Sequence, residues 1–118
     1  KQLKDMIKYM VRDEVWEGVH CEFYQFSRGV HCEYSRPEHE FLAFDFDGKP
    51  IDDNQIYTVG LQLFHYNNFE DVFNISYDEI KKDGEPKIVA TSCFQVIEQY
   101  LSTNQHLDRV CGDRLIII

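Results

Sequence analysis

Two neighbouring segments with strand-like alternation constrain the fold of this chain more than any other feature. In residues 30–35, apolar and polar side chains alternate, which is the two-residue period of a β-strand. Residues 41–46 keep this period, with Phe41 opposite in phase to the apolar residues Leu42, Phe44 and Phe46. The Asp47-Gly48 pair that follows favours a tight turn, so the pattern predicts that the chain returns in the antiparallel direction.

Amphipathic helices are predicted on both sides of these segments. Residues 3–11 repeat apolar side chains at the spacing of a helix with one buried face, and a turn at residues 15–18 should follow it. Capping-box patterns predict two later helices, one from Ser76 through Lys82 and an amphipathic one that begins after Ser92.

Two further strands complete the predicted fold. Residues 56–64 alternate in the same way, and residues 114–118 form a short, mostly β-branched segment. The chain has 118 residues, of which 43% are hydrophobic, so it is long enough for one packed domain and too short for two. We expect a single α+β domain, in which a mixed, largely antiparallel sheet packs against amphipathic helices.

The acidic balance of the chain argues against two classes of partner. Its 21 acidic and 12 basic residues give a formal charge of −9. Nucleic-acid backbones and anionic membranes both favour clustered Lys and Arg, so we expect neither nucleic acid nor membrane as a partner. No apolar run approaches the ~20 residues that span a bilayer. The simplest role of the acidity is solubility.

Four cysteines stand far apart in the sequence, without the CxxC or CxxH spacing of a zinc site: Cys21, Cys32, Cys93 and Cys111. Two disulfides are one alternative, and free thiols in a cytoplasmic protein are the other. The free thiols are favoured, because Cys32 falls in a predicted strand and Cys93 at a predicted helix start.

The sequence predicts no catalytic or metal-binding set. The five histidines show no HxH or HExxH spacing, and neither a Gly-rich phosphate loop nor a nucleophile arrangement is present. Two aromatic-rich strand ends stand out instead, around Phe23 and around Phe64. Large rings at such positions are either buried in a core or stack on a flat ligand, and the pattern leaves both alternatives open.

A family resemblance rests on three segments taken together, which are "EFYQFSRGVHCEYSRP", "FDGKPIDDNQIYTVGLQLF" and "NNFEDVF". In order and spacing they resemble the C-terminal domain of the 5'-nucleotidase and UDP-sugar hydrolase family of metallophosphoesterases, over nearly the whole chain. The resemblance is to its cytoplasmic subgroup in Gram-positive bacteria. Because residue 1 is not Met and lies inside a predicted helix, we expect residues 1–118 to be this domain, truncated on its N-terminal side.

The resemblance also implies a function and a set of site residues. In this family an N-terminal domain, absent from this chain, hydrolyses phosphoesters with divalent metal ions, and the C-terminal domain binds the nucleotide. Carried over by position, Phe23 and Phe64 would sandwich the base, and Asp71, or its neighbour Glu70, would accept hydrogen bonds from the ribose. Arg12 is nearest in position to the family's phosphate-contacting arginines.

The resemblance further implies which partners and cofactors to expect. The partners would be a nucleotide or nucleoside-type substrate and the protein's own catalytic domain. This fragment would hold no cofactor and would be inactive by itself.

One departure from the family's sequence pattern leaves an alternative function open. The Gly-Gly-Asp-Gly turn of the family is here Phe69-Glu70-Asp71-Val72, which cannot keep a turn that depends on positive φ angles. The alternative is a structural or interaction domain that keeps the fold without binding nucleotide.

Overall fold

A computed structural model of the chain describes residues 1–18, 25–107 and 112–118. Helices and strands alternate in groups, in agreement with the predicted α+β class. In chain order the elements are α1 (Gln2–Met10), α2 (Asp13–Glu17), β1 (Val30–Ser35), β2 (Glu40–Phe46), β3 (Lys49–Pro50), α3 (Leu63–Asn67), α4 (Phe69–Phe73), α5 (Tyr77–Lys81), α6 (Cys93–Thr103) and β4 (Leu115–Ile117).

Within the described residues, four strands form one mixed sheet in the order β3-β2-β1-β4. β1 pairs antiparallel with β2 and β2 antiparallel with β3, whereas β4 joins the outer side of β1 in the parallel direction. The predicted tight turn between β2 and β3 is confirmed, since Asp47 and Gly48 have φ angles of 50° and 73°. Two successive positive φ angles are typical of the hairpin turns whose twist matches the flanking strands.

A β-bulge reverses the predicted phase of Phe41. The register of β1 and β2 shifts between Glu33, which faces Ala43, and Tyr34, which faces Phe41. Leu42 is the residue without a partner in this ladder, and it is 50% exposed. The extra residue places Phe41 on the same face as Phe44, with their rings stacked 5.3 Å apart. The sequence-based phase of Phe41 was therefore wrong, because a bulge cannot be seen in the alternation of one strand.

Helix α1 lies between the sheet and α4 and contributes to both halves of the core. Ile7 packs with Cys32, Phe44 and Ile51 of the sheet layer. Met6 packs on the other side, in a second cluster with Phe69, Phe73 and Ile75. Neighbouring helical positions point about 100° apart, which lets adjacent residues of one helix bury their side chains against different layers.

Three local predictions are corrected by the structure. Residues 56–64 form no strand, because 56–62 are irregular and 63–64 begin α3. A strand needs a neighbour to pair with, and β3, the edge strand, is two residues long and contains Pro50, which has no N–H to donate. Residues 15–18 belong largely to α2 instead of a turn. Helix α5 follows Ser76 as predicted, but the Ser76 side chain makes no capping hydrogen bond.

Candidate functional site

Helices α3 and α4 carry two of the predicted site residues on one short stretch of chain. Asn68 lies between these helices, and its backbone N–H donates to the carbonyl oxygen of Phe64 at 3.1 Å. The side-chain amide of Asn68 donates to the same oxygen at 2.8 Å. These two hydrogen bonds end α3 at Asn68, and α4 begins at the next residue, so Phe64 and Asp71 lie on consecutive helices.

The Phe64 ring lies outside the core. It is 66% exposed and meets the imidazole of His65 edge-on, with ring centroids 5.6 Å apart. Of the two alternatives for this residue, burial or stacking on a flat ligand, the exposed position leaves the ring available for stacking. A purine or pyrimidine binds such a ring through its π-face, without any need for a hydrogen-bond partner.

Helix α4, which follows the exposed Phe64 ring in the chain, is held in the core by two buried phenylalanines. Phe69 and Phe73 of α4 are 5% and 3% exposed, and their rings lie 4.7 Å apart. Both belong to the cluster that packs against Met6 of α1. The burial of these two rings fixes which side of α4 faces solvent, and Asp71 lies on the solvent side.

The structure distinguishes the two candidate acids, Glu70 and Asp71. The Oε1 atom of Glu70 accepts a hydrogen bond from the backbone N–H of Tyr77 at 2.8 Å, which ties the start of α5 to α4. Within the described parts of the chain, the Asp71 carboxylate has no hydrogen-bond or ion-pair partner. A carboxylate with its lone pairs available can accept from two neighbouring hydroxyl groups. Of the two acids that the resemblance offers as acceptors for the ribose, Glu70 is therefore occupied by a backbone contact, whereas the Asp71 carboxylate keeps its lone pairs available.

The other two positions taken from the resemblance do not join this pair. Phe23 lies outside the described residues. Arg12 is engaged at the end of α1, where its guanidinium lies 3.8 Å from the Tyr9 ring and donates to the Tyr9 carbonyl oxygen at 2.5 Å. It also lies 3.8 Å from a carboxylate oxygen of Glu14. These contacts hold its donors in place locally and give no support to a phosphate-binding role.

A tyrosine pair next to this segment was missed by the sequence analysis. The rings of Tyr66 in α3 and Tyr77 in α5 lie 5.0 Å apart. Hydrogen bonding to Tyr77 raises the pKa of Tyr66 to about 12, so this phenol keeps its proton at neutral pH. The aromatic density of residues 64–77 was a signal for such a pair. The two tyrosines are eleven positions apart in the sequence, however, so only the packing of α3, α4 and α5 brings them together.

Titratable groups elsewhere form no metal centre within the residues that the structure covers. No group of three or more His, Cys, Asp or Glu side chains among them is arranged to hold a metal ion.

Two cysteines can be placed, and both are free thiols. Cys32 is buried in β1, and burial raises its pKa to about 11. Cys93 is exposed at the start of α6. The remaining two, Cys21 and Cys111, lie outside the described residues.

None of the helices in residues 1–18, 25–107 and 112–118 is long and apolar enough to cross a membrane.

Comparisons with known proteins identify no relative of this chain. No family model, curated protein or solved structure matches the chain.

Proposed function

We propose that this chain is the nucleotide-recognition domain of a cytoplasmic, metal-dependent phosphohydrolase of the 5'-nucleotidase type. Phe64 stacks on the base, with Phe23 as the second ring, and Asp71 accepts hydrogen bonds from the ribose hydroxyls. Hydrolysis of the phosphoester would take place on a separate catalytic domain of the same protein, and divalent metal ions bound there would supply the activation of water.

The proposal rests on one observation: the Phe64 ring is exposed, whereas the helix that follows it, α4, is held in the core by Phe69 and Phe73. A phenylalanine that served only the core would be buried like Phe69 and Phe73, which lie five and nine positions further along. Stacking of a base on one ring contributes ~1–3 kcal/mol, enough to bind a nucleotide measurably when a second contact assists. The carboxylate of Asp71 supplies that second contact and selects for a sugar with vicinal hydroxyls.

Titration of the purified chain with AMP and with adenosine, followed by NMR chemical shifts, tests the proposal. We expect both ligands to perturb the signals of residues 63–73, with Phe64→Ala weakening affinity about 5- to 150-fold. Asp71→Asn should weaken binding of adenosine more than binding of free adenine, because the base has no hydroxyls. Phe94→Ala is the matched control, since Phe94 is also an exposed ring, on α6.

Two results would contradict the proposal. Equal loss of affinity in Phe64→Ala and in the Phe94→Ala control would mean that binding follows exposed aromatic surface in general. Release of phosphate from AMP or UDP-glucose by this chain, in the presence of a divalent metal ion, would contradict the assignment of hydrolysis to a separate domain.

A second function, that of an interaction domain without a nucleotide, is supported by the conformation of residues 69–73. These residues form α4, and Asn74 closes the helix with a φ of 54°. A helix replaces the glycine turn that the family resemblance leads one to expect. The absence of any shift in the NMR titration, together with a folded chain, would favour this second function.

A further inference from the structure

Asn68 belongs to two consecutive helices at once. Its backbone N–H donates to the Phe64 carbonyl oxygen of α3 at 3.1 Å, and its own carbonyl oxygen accepts from the Val72 N–H of α4 at 2.9 Å. The conformation of Asn68 itself is not helical, since its ψ angle is 31° whereas an α-helix has a ψ angle near −42°. The angle between the axes of α3 and α4 is therefore set at this one residue.

The relative placement of Phe64 and Asp71 depends on this junction. The two residues are seven positions apart in the sequence. In a continuous helix they would share one face, about 10 Å apart along the axis. Asn68 interrupts the helix between them, so its conformation decides how far the ring lies from the carboxylate and in which direction.

The side chain of Asn68 turns away from the helix that it precedes. An Asn immediately before a helix commonly caps it, because its side-chain oxygen accepts from a backbone N–H two or three positions further on. Asn68 makes no such bond to α4. Its Nδ2 atom instead donates to the Phe64 carbonyl oxygen at 2.8 Å. An ionised Asp would cap a helix equally well but could not make this bond, because a carboxylate only accepts hydrogen bonds.

The hydrogen bond from Asn68 matters because the core does not anchor α3. None of the five residues of α3 is buried, whereas α4 is held by two buried phenylalanines. The Tyr66 ring, 5.0 Å from the ring of Tyr77, supports α3 against α5. Asn68 supports it at the other point, where it joins α4, and fixes the backbone of Phe64 to the anchored helix.

We propose that Asn68 is a positioning residue that makes the site selective for nucleosides over free bases. It holds Phe64 so that a base stacked on this ring brings its ribose to the Asp71 carboxylate. The role of Asn68 rests on the proposed function, because the base contact at Phe64 and the ribose contact at Asp71 are both part of it. Free adenine needs only the ring, whereas adenosine needs the ring and the carboxylate in alignment.

Titration of the wild-type chain and of Asn68→Asp with adenosine and with adenine, followed by NMR chemical shifts, tests this role. Asn68→Asp keeps the shape of the side chain and its ability to cap α4, but it removes the donor to the Phe64 carbonyl oxygen. We expect this variant to bind adenosine about 2- to 10-fold more weakly, the range that loss of one hydrogen bond produces. Its affinity for adenine should be unchanged. Both ligands are neutral, so the added charge attracts or repels neither of them.

Three further variants separate positioning from charge and from stability. Asn67→Asp adds the same charge one position earlier, at an exposed side chain without a hydrogen bond in the described parts of the chain, and should keep both affinities. Asn68→Ala removes the donor without adding charge and should match Asn68→Asp. In an Asp71→Asn background, Asn68→Asp should have no further effect on adenosine, because the contact that it aligns is already lost. Circular dichroism melting shows whether each variant remains folded.

The outcomes distinguish the role of Asn68 from the proposed function. An unchanged ratio of adenosine to adenine affinity in Asn68→Asp would overturn the role of Asn68 and leave the proposed function intact. The same change of this ratio in Asn67→Asp would overturn it too, since charge alone would then explain the loss. Failure of both Asn68 variants to fold would make Asn68 a structural residue. A wild-type chain that binds neither ligand would contradict the proposed function and the role of Asn68 with it.

Discussion

His31 makes two contacts that an imidazole satisfies together only when both ring nitrogens carry protons. Its Nδ1 atom lies 3.0 Å from the carbonyl oxygen of Asp113, and its Nε2 atom lies 3.2 Å from a carboxylate oxygen of Glu33. Both partners are acceptors, and a neutral imidazole has one donor. The carbonyl of Asp113, with the nearby charges of Glu33 and Asp45, raises the pKa of His31.

We therefore expect the stability of the fold to fall as pH rises through the pKa of His31. The folded-state pKa is raised, so the contribution of His31 is complete below its ordinary value of 6.5 and is lost above the raised value. The contact joins β1 to the segment that leads into β4, so the loss should loosen the C-terminal strand. The melting temperature of the wild type and of His31→Gln, measured from pH 5 to pH 9, should converge at high pH.

His39→Gln is the control for this pH dependence. His39 lies 3.8 Å from an Asp13 carboxylate oxygen and is more exposed than His31. Its replacement should leave the wild-type pH profile nearly unchanged. An identical profile for His31→Gln and the wild type would contradict the role of His31.

The cysteines differ in a way that a labelling experiment detects. Thiolate is the reactive form, and burial with a pKa of about 11 leaves Cys32 protonated and inaccessible at neutral pH. Cys93 is exposed. We expect iodoacetamide to label Cys93 in the folded chain and Cys32 only after denaturation, with labelled peptides identified by mass spectrometry. In denaturant without reductant, the titrated thiols should number close to four, and a number near zero would indicate two disulfides.

At the scale of elements, α1 and α4 are held together by one apolar cluster. Phe73 is 3% exposed and packs with Met6, Phe69 and Ile75. This contact is also what holds α4 in place, and therefore the position of Asp71. The candidate site thus depends on a helix pair that lies beside the sheet and not on the sheet itself.

Phe73→Ala should destabilise the fold strongly, and Phe64→Ala should not. Loss of a buried phenylalanine ring costs ~3–5 kcal/mol of the free energy of unfolding, whereas replacement of an exposed side chain usually changes it by less than about 0.5 kcal/mol. Urea unfolding of both variants, followed by circular dichroism, measures the difference. Similar midpoints for the two variants would mean that the cluster around Phe73 contributes little.

At the scale of the whole molecule, the two rings that we propose as the base-binding pair, Phe23 and Phe64, should act on substrate affinity in the proposed intact phosphohydrolase. In the proposed arrangement the two rings would contact the base and not the reacting phosphate, so they would bind the ground state and the transition state about equally. Phe64→Ala or Phe23→Ala should then raise KM about 5- to 150-fold with kcat little changed. Steady-state kinetics with AMP, together with the melting temperature, measures both effects. An unchanged KM with a lowered melting temperature would mean that the ring is structural.

The local sequence by itself determined those elements that are stabilised by contacts within a few residues. The Asp47-Gly48 turn follows from residues that accept positive φ angles, and the start of α6 follows from Ser92 with Gln95. The alternation in β1 and the β-branched β4 likewise predicted strands that the structure contains. These features depend on contacts within a few residues, so a single sequence carries the information for them.

Tertiary structure alone decided the features that depend on distant partners. The bulge that turns Phe41 toward the core is a property of two strands in register, and residues 56–62 are no strand because no neighbour pairs with them. The difference in hydrogen bonding between Asp71 and Glu70 comes from the Tyr77 N–H, seven residues from Glu70. Propensity and periodicity describe one segment at a time, whereas register and side-chain availability depend on the free energy of contacts between segments.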